Sequence, residues 1–263
     1  MISFNQNLKS NIYSKKSLLC VGIDIAPENI QSNNIKDLID HSKIVIDATR
    51  NLAIAYKPNF AFFERWGSEG FRWLEEILEY IGYSHIKIAD AKRGDIGNTA
   101  YQYACSIFDH FKFDAVTLNP YLGRDSIEPF IGNPGKGVFI LCRTSNNSAS
   151  DFQNEEIGNQ LLYEKVAIWA DSMNSNDNVG LVVGATALEE IIKIRKVTPN
   201  LPLLIPGVGA QGGSLEHSVK EGSITGTALV NISRAISFAG NMTKQDIHDA
   251  AKNYVDAMNK ALR

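Results

Sequence analysis

The chain has 263 residues, 44% of them hydrophobic and 21% charged, with a formal net charge of −3. That length and mixture suit one globular unit of about 250 residues with a large core, or two smaller units. The mild negative charge excludes the strongly basic footprint of a nucleic-acid-binding domain, so an anionic ligand has to be met by locally placed cations.

In chain order, the polar opening over 1–16 has no apolar segment of the kind a secretory signal needs. An apolar run over 18–24 ends in Asp24, and helical spacing follows over 35–50. The second run, 53–57, ends in Lys57. The spacing predicts a helix over 70–81, where Phe71, Leu74, Leu78 and Ile81 fall on one face. The third run, 85–90, ends in Asp90, and a helix is expected over 97–111. Runs over 115–119 and 138–143 come next. A polar loop, 145–153, of the sort that carries function, then leads into helical spacing over 155–173. The sixth run, 179–184, precedes a helix over 188–197. The last two runs, 203–207 and 228–233, are followed by a helix over 245–262.

Several of these runs are nearly continuous in Val, Ile, Leu and Ala, as parallel strands covered on both faces are. Eight strands separated by mostly helical segments predict an α/β protein, a right-handed βα series closed into a (β/α)8 TIM barrel. No linker divides the chain, so 1–263 reads as a single domain. An open doubly wound sheet shares the pattern and is the competing architecture. No apolar run approaches the roughly 18 residues of a membrane span. Cys20, Cys105 and Cys142 are odd in number and form no C-x-x-C pair, which argues against a disulfide framework or zinc site and fits a reducing compartment. A cytoplasmic location, with no membrane or nucleic-acid partner, is expected.

The densest signal is Asp90-Ala91-Lys92-Arg93-Gly94-Asp95-Ile96-Gly97-Asn98-Thr99, at the carboxyl end of the third run. In barrels that end carries the chemistry. Residues two apart on a strand share a face, so Asp90 and Lys92 are expected to enter the mouth together. Asp24 and Lys57, ending neighbouring strands, should join them. A lysine among carboxylates stays protonated. Held in that way, an ammonium can stabilise a developing carbanion and then protonate it. A salt-bridged strand end without a catalytic role is the plainer alternative. It sits badly with four charges at one mouth, because desolvation offsets much of their attraction and such clusters mark active sites.

With Asp-x-Lys-x-x-Asp carried by Asp90, Lys92 and Asp95, the chain resembles the orotidine 5′-phosphate decarboxylase family, in its longer, bacterial-type branch. The likeness runs from Val21-Gly22-Ile23-Asp24 to Arg234. It implies decarboxylation of orotidine 5′-monophosphate (OMP) to UMP, with neither metal nor organic cofactor. By the resemblance, Asp24 and Lys57 contact the ribose, Asp90 lies near the substrate carboxylate, and Lys92 protonates C6. Asp95, with Ile96 and Thr99, reaches into the site of a second subunit, so a homodimer with shared sites is implied. Ser145 matches the serine that hydrogen-bonds the pyrimidine, with Thr144 one position away as the alternative.

Pro206-Gly207-Val208-Gly209-Ala210-Gln211-Gly212-Gly213 follows the seventh run, and Asn231-Ile232-Ser233-Arg234 ends the eighth. Loops after the last two strands of such barrels are a frequent phosphate site. The resemblance assigns the 5′-phosphate to Gln211 and Arg234, with Pro206 also against the substrate. Gly207-x-Gly209-x-x-Gly212 satisfies a dinucleotide pattern too, but it lies late in the chain and no acidic residue ends the next strand. The five histidines have no metal-ligand spacing and read as satisfied or surface residues; Arg65 and Arg93 read as structural. Two rival functions are a Mg²⁺-dependent sugar-phosphate decarboxylase and a non-catalytic barrel for a phosphorylated ligand. The first needs an acid where Lys57 stands, and the second needs none of the four charges.

Overall fold

The computed structural model describes residues 2–208 and 214–263. Eight parallel strands follow one another around a closed barrel: Leu19–Ile23, Ala55–Pro58, Ile86–Arg93, Ala115–Leu118, Gly137–Arg143, Val179–Val183, Leu203–Ile205 and Ala228–Ile232. The last pairs with the first, Leu19 opposite Val230 and Val21 opposite Ile232. That closure rules out the open doubly wound sheet.

The strand runs are apolar because both of their faces are covered. Val21, Tyr56, Ala89, Val116, Ile140, Leu181, Ile205 and Val230 pack outward against the helices. Cys20, Ala55, Ile88, Ala115, Phe139, Val182, Leu204 and Leu229 form a separate cluster with Phe4 and Leu8. Above it the inward positions turn polar, with Asp24, Lys57, Asp90, Thr117 and Asn231. Apolar residues thus fill the barrel floor, and the charges are confined to the mouth.

The floor is sealed by a helix the sequence pattern does not announce, Phe4–Lys15. Only Phe4, Asn5 and Leu8 of it are buried, too few apolar residues to make a periodic stripe. Ser3 caps the helix by accepting from the Gln6 N–H and donates to Asp177, and Asn5 donates to the Val179 carbonyl. The Phe4 ring meets Phe139 edge-on, at 5.9 Å between centroids. Phe4→Ala is expected to lower unfolding stability by about 3–5 kcal/mol, as read from urea denaturation. Below the unfolding transition kcat should be unchanged, because the mouth lies at the other end of the barrel.

Three other boundaries differ from expectation. The helix expected over 155–173 begins only at Leu162; Glu156–Ile157 and Gln160–Leu161 first pair as a small antiparallel hairpin. Gly158 turns that hairpin at φ +71°, a conformation glycine adopts without steric cost. A helix at Leu215–Ser223, capped by Ser214, joins the last two strands; its sparse apolar residues hide it from periodicity. The helix over 97–111 is α-helical from Gly97 to Cys105 and widens into a π-turn over Ser106–His110. Cys20, Cys105 and Cys142 are all free. Among the described residues, no helix is long and apolar enough to cross a membrane.

Candidate active site

The third strand builds the centre of the site, and it does so irregularly. Simple alternation was expected to place Asp90 and Lys92 on one face. Instead, the pairing with the fourth strand shifts register between Ala89 and Arg93, and Lys92 takes a left-handed φ of +47°. Such a conformation in a residue other than glycine costs about 1–3 kcal/mol. Thr117, on the fourth strand, holds the irregularity: its hydroxyl oxygen accepts from the N–H groups of Ala91 (3.1 Å) and Lys92 (2.9 Å). The two side chains do meet, but through this bulge rather than through the strand period.

Asp90 is the hub. Lys57 Nζ reaches one carboxylate oxygen at 2.5 Å and Lys92 Nζ the other at 2.5 Å. The Thr117 hydroxyl lies 3.3 Å from Asp90 Oδ1. The lysines are not equivalent: the Lys57 side chain is 4% exposed, the Lys92 side chain 50%. Lys57 is therefore fixed within the wall, whereas the Lys92 side chain is half-exposed.

Burial alone raises the Asp90 carboxyl, but Lys57 and Lys92 more than offset it and hold Asp90 well below the usual carboxylate range. Burial lowers the Lys57 ammonium, and here Asp90 and Asp24 prevail and carry it above the ordinary lysine range. A depressed carboxyl contributes stability above its ordinary pKa that is lost as pH falls through the folded value. A raised amine contributes stability below its ordinary pKa that is lost as pH rises through the folded value. The pair therefore stays ionised between about pH 5 and pH 9. Asp24 is pushed up by burial, with Lys57 and the Ser233 hydroxyl acting against it. Removing one member of a buried pair strands the other. Lys57→Met is accordingly expected to cost about 3–5 kcal/mol of stability in denaturant titration, besides its effect on turnover.

Asp24, Lys57 and Asp90 open onto a cavity of about 200 Å³ that Ser145, Pro206 and Arg234 also line, with Asn59, Asn231 and Ser233 among the others; Lys92 is not part of its lining. Six of the residues singled out from sequence are thus brought to one space. Ser145 lies on it and Thr144 does not: Thr144 is bound to Gln153 through both its N–H and its hydroxyl, and its hydroxyl also donates to Asn146. Ser145 is pressed against Gly184, where a Cβ would stand 2.7 Å from the Ser145 Cβ. Gln211 lies outside the described residues. A larger groove of about 760 Å³ lies alongside, lined by Tyr121, Phe152, Ile157 and Trp169, but it is apolar and holds none of the four charges.

Asp95, Ile96 and Thr99 are not part of that cavity. The Asp95 carboxylate accepts from the N–H of Ile96, and Ile96 is 56% exposed. Arg93 pairs with Glu64 at 2.8 Å and lies over the rings of Phe60 and Tyr103, a structural role. Each histidine is tied to a nearby partner, His41 to the Ser237 carbonyl and His248 to the Ala48 carbonyl among them. Thr117, Asn231 and Ser233 were missed from sequence. Their signal is a small polar residue at an inward position of an otherwise apolar run.

A sequence model of the Orotidine 5′-phosphate decarboxylase / HUMPS family matches residues 17–245. The chain is 45% identical to the orotidine 5′-phosphate decarboxylase of Natronomonas pharaonis, covering 98% of this chain and 99% of that one. It is 44% identical to that of Halorubrum lacusprofundi, over 95% of this chain and 92% of the relative. Among solved structures, Leishmania donovani OMP decarboxylase superposes with a TM-score of 0.89 at 39% identity, covering 99% of each chain.

Proposed function

Because the chain belongs to the Orotidine 5′-phosphate decarboxylase / HUMPS family, we propose that its charged mouth is where carbon dioxide is lost, with Lys92 meeting the anion left at C6. The chain is an enzyme that converts OMP to UMP and CO₂, the last step of de novo pyrimidine nucleotide synthesis. One observation supports the residue roles above all: two ammonium groups share the Asp90 carboxylate, and of the two side chains only that of Lys92 is substantially exposed.

The C6–carboxylate bond breaks and its electron pair stays on C6, in the plane of the ring, where π delocalisation helps little. Fixed charge must then stabilise the anion. Lys92 is suited to this, because its ammonium is already oriented before substrate arrives. It gives a proton to C6, forming UMP, and regains one from solvent. Asp90 orients Lys92 and crowds the substrate carboxylate. Lys57 keeps Asp90 ionised and, with Asp24, faces the ribose. Ser145 hydrogen-bonds the base, while Arg234, Gln211 and the backbone near Pro206 hold the phosphate. Neither metal nor organic cofactor takes part in this scheme, and Lys57 would repel a divalent ion at the second strand.

Asp95, Ile96 and Thr99 complete the site of a second copy of the chain. Asp95 is the motif carboxylate that its own cavity does not use, and Ile96, Tyr121, Leu122 and Phe152 expose apolar surface on the loops after the third, fourth and fifth strands. The enzyme acts as a cytoplasmic homodimer, folded as a single domain. Loss of OMP absorbance on adding purified protein tests the reading, and turnover is expected to persist in EDTA. Turnover abolished by EDTA would favour the Mg²⁺-dependent reading; tight UMP binding without turnover would favour a binding barrel.

A further inference from the structure

Thr117 touches both ends of the arrangement that presents Lys92. Its hydroxyl oxygen accepts from two consecutive N–H groups, those of Ala91 and Lys92, in the gap where the third strand loses its register with the fourth. Successive N–H groups converging on one oxygen form a nest, and a left-handed residue such as Lys92 is a usual part of one. The same hydroxyl lies 3.3 Å from Asp90 Oδ1, the carboxylate oxygen that receives Lys92 Nζ. One side chain thus grips the Lys92 backbone and abuts the acceptor of its ammonium.

Little else constrains Lys92. Its side chain is half-exposed, and among the described residues its ammonium pairs with Asp90 alone. A flexible four-carbon chain takes its direction from the backbone that carries it. A left-handed residue other than glycine persists only where its surroundings over-determine it. Thr117 is buried, 2% exposed, two residues after Ala115 of the barrel floor. Valine has the same shape and would suit the apolar run; what it lacks is the oxygen. Without that oxygen both N–H groups lose their acceptor, and the strained turn is free to relax. Resting on the reading that Lys92 meets the C6 anion, we infer that Thr117 is a positioning residue, whose hydroxyl holds the Lys92 backbone in the conformation that brings the ammonium onto Asp90. Thr117 is not part of the cavity lining, so it acts through Lys92.

The test compares Thr117→Val and Thr117→Ser with the unaltered enzyme. Here kcat is counted per UMP-binding site from a calorimetric titration, so that an unfolded fraction does not enter. Thr117→Val is expected to lower kcat per site by about 10- to 100-fold, the loss that a misplacement of about 1 Å produces. KM for OMP and affinity for UMP should change by less than about threefold, since the groups that line the cavity are untouched. Thr117→Ser, which restores the oxygen, should recover kcat to within about threefold. A structural role alone would lower the unfolding temperature and leave kcat per site normal, and that result would overturn the inference. So would a Thr117→Ser variant as slow as Thr117→Val. Should Thr117→Val not fold, Thr117→Cys, whose sulfur accepts only weakly, is judged by the same criteria. Failure of the underlying reading is separately visible, as an unaltered enzyme that turns over no OMP or a Lys92→Ala variant that keeps its kcat.

Discussion

Lys92→Ala is expected to lower kcat by about four orders of magnitude or more, while UMP affinity changes by less than about tenfold. The asymmetry follows from where the residue sits. Its side chain is 50% exposed, so the core does not need it, and Asp90 keeps Lys57 as a partner when it is gone. What disappears is the exposed one of the two ammonium groups on Asp90, and the product carries no charge at C6 for it to meet. Lys92→Arg separates two roles. A guanidinium keeps the positive charge but does not release a proton in proteins, so this variant should also be nearly inactive if proton delivery is required. Stopped-flow kinetics for turnover and calorimetry for UMP read both quantities. Near-normal kcat in Lys92→Ala would remove the assignment.

The second large effect is a recovery of activity. Lys92→Ala and Asp95→Ala homodimers should each be nearly inactive, because every site lacks one of its two groups. Subunits mixed, unfolded and refolded together form hybrids in which one site carries both lesions and the other carries none. Random pairing makes half the dimers hybrids with one intact site of two, so roughly a quarter of wild-type activity should return. The geometry motivates this. Asp95 hydrogen-bonds its own neighbour Ile96 and stays away from the cavity of its own chain. If Asp95 served its own protomer's site, mixing would restore nothing.

The barrel was legible because each of its strands is buried on both faces and so reads as an apolar run. The helix Phe4–Lys15 was not, since three buried residues are enough to seal a barrel floor but not to make a stripe. The helix at Leu215–Ser223 escaped for the same reason. The hairpin before Leu162 passed as helix because each of its strands is only two residues long, and the pair Gly158-Asn159 is the one turn signal between them. In the site, the charged residues were legible as strand-ending Asp and Lys, and Asp24, Lys57 and Asp90 do share one cavity. The way Lys92 reaches Asp90 was not. A strand period cannot foresee a left-handed residue held by a threonine on the next strand. Thr117, Asn231 and Ser233 were overlooked because a short polar side chain inside an apolar run looks like noise until the fold shows which way it points.

The most direct measurement is exchange of the C6 hydrogen of UMP for deuterium in D₂O, followed by NMR. By microscopic reversibility, a group that protonates the ring anion also removes that proton, with no carbon dioxide involved. The unaltered enzyme is expected to accelerate exchange far above the solution rate, and Lys92→Ala to abolish the acceleration. Exchange that proceeds equally well without the Lys92 amine would contradict the account.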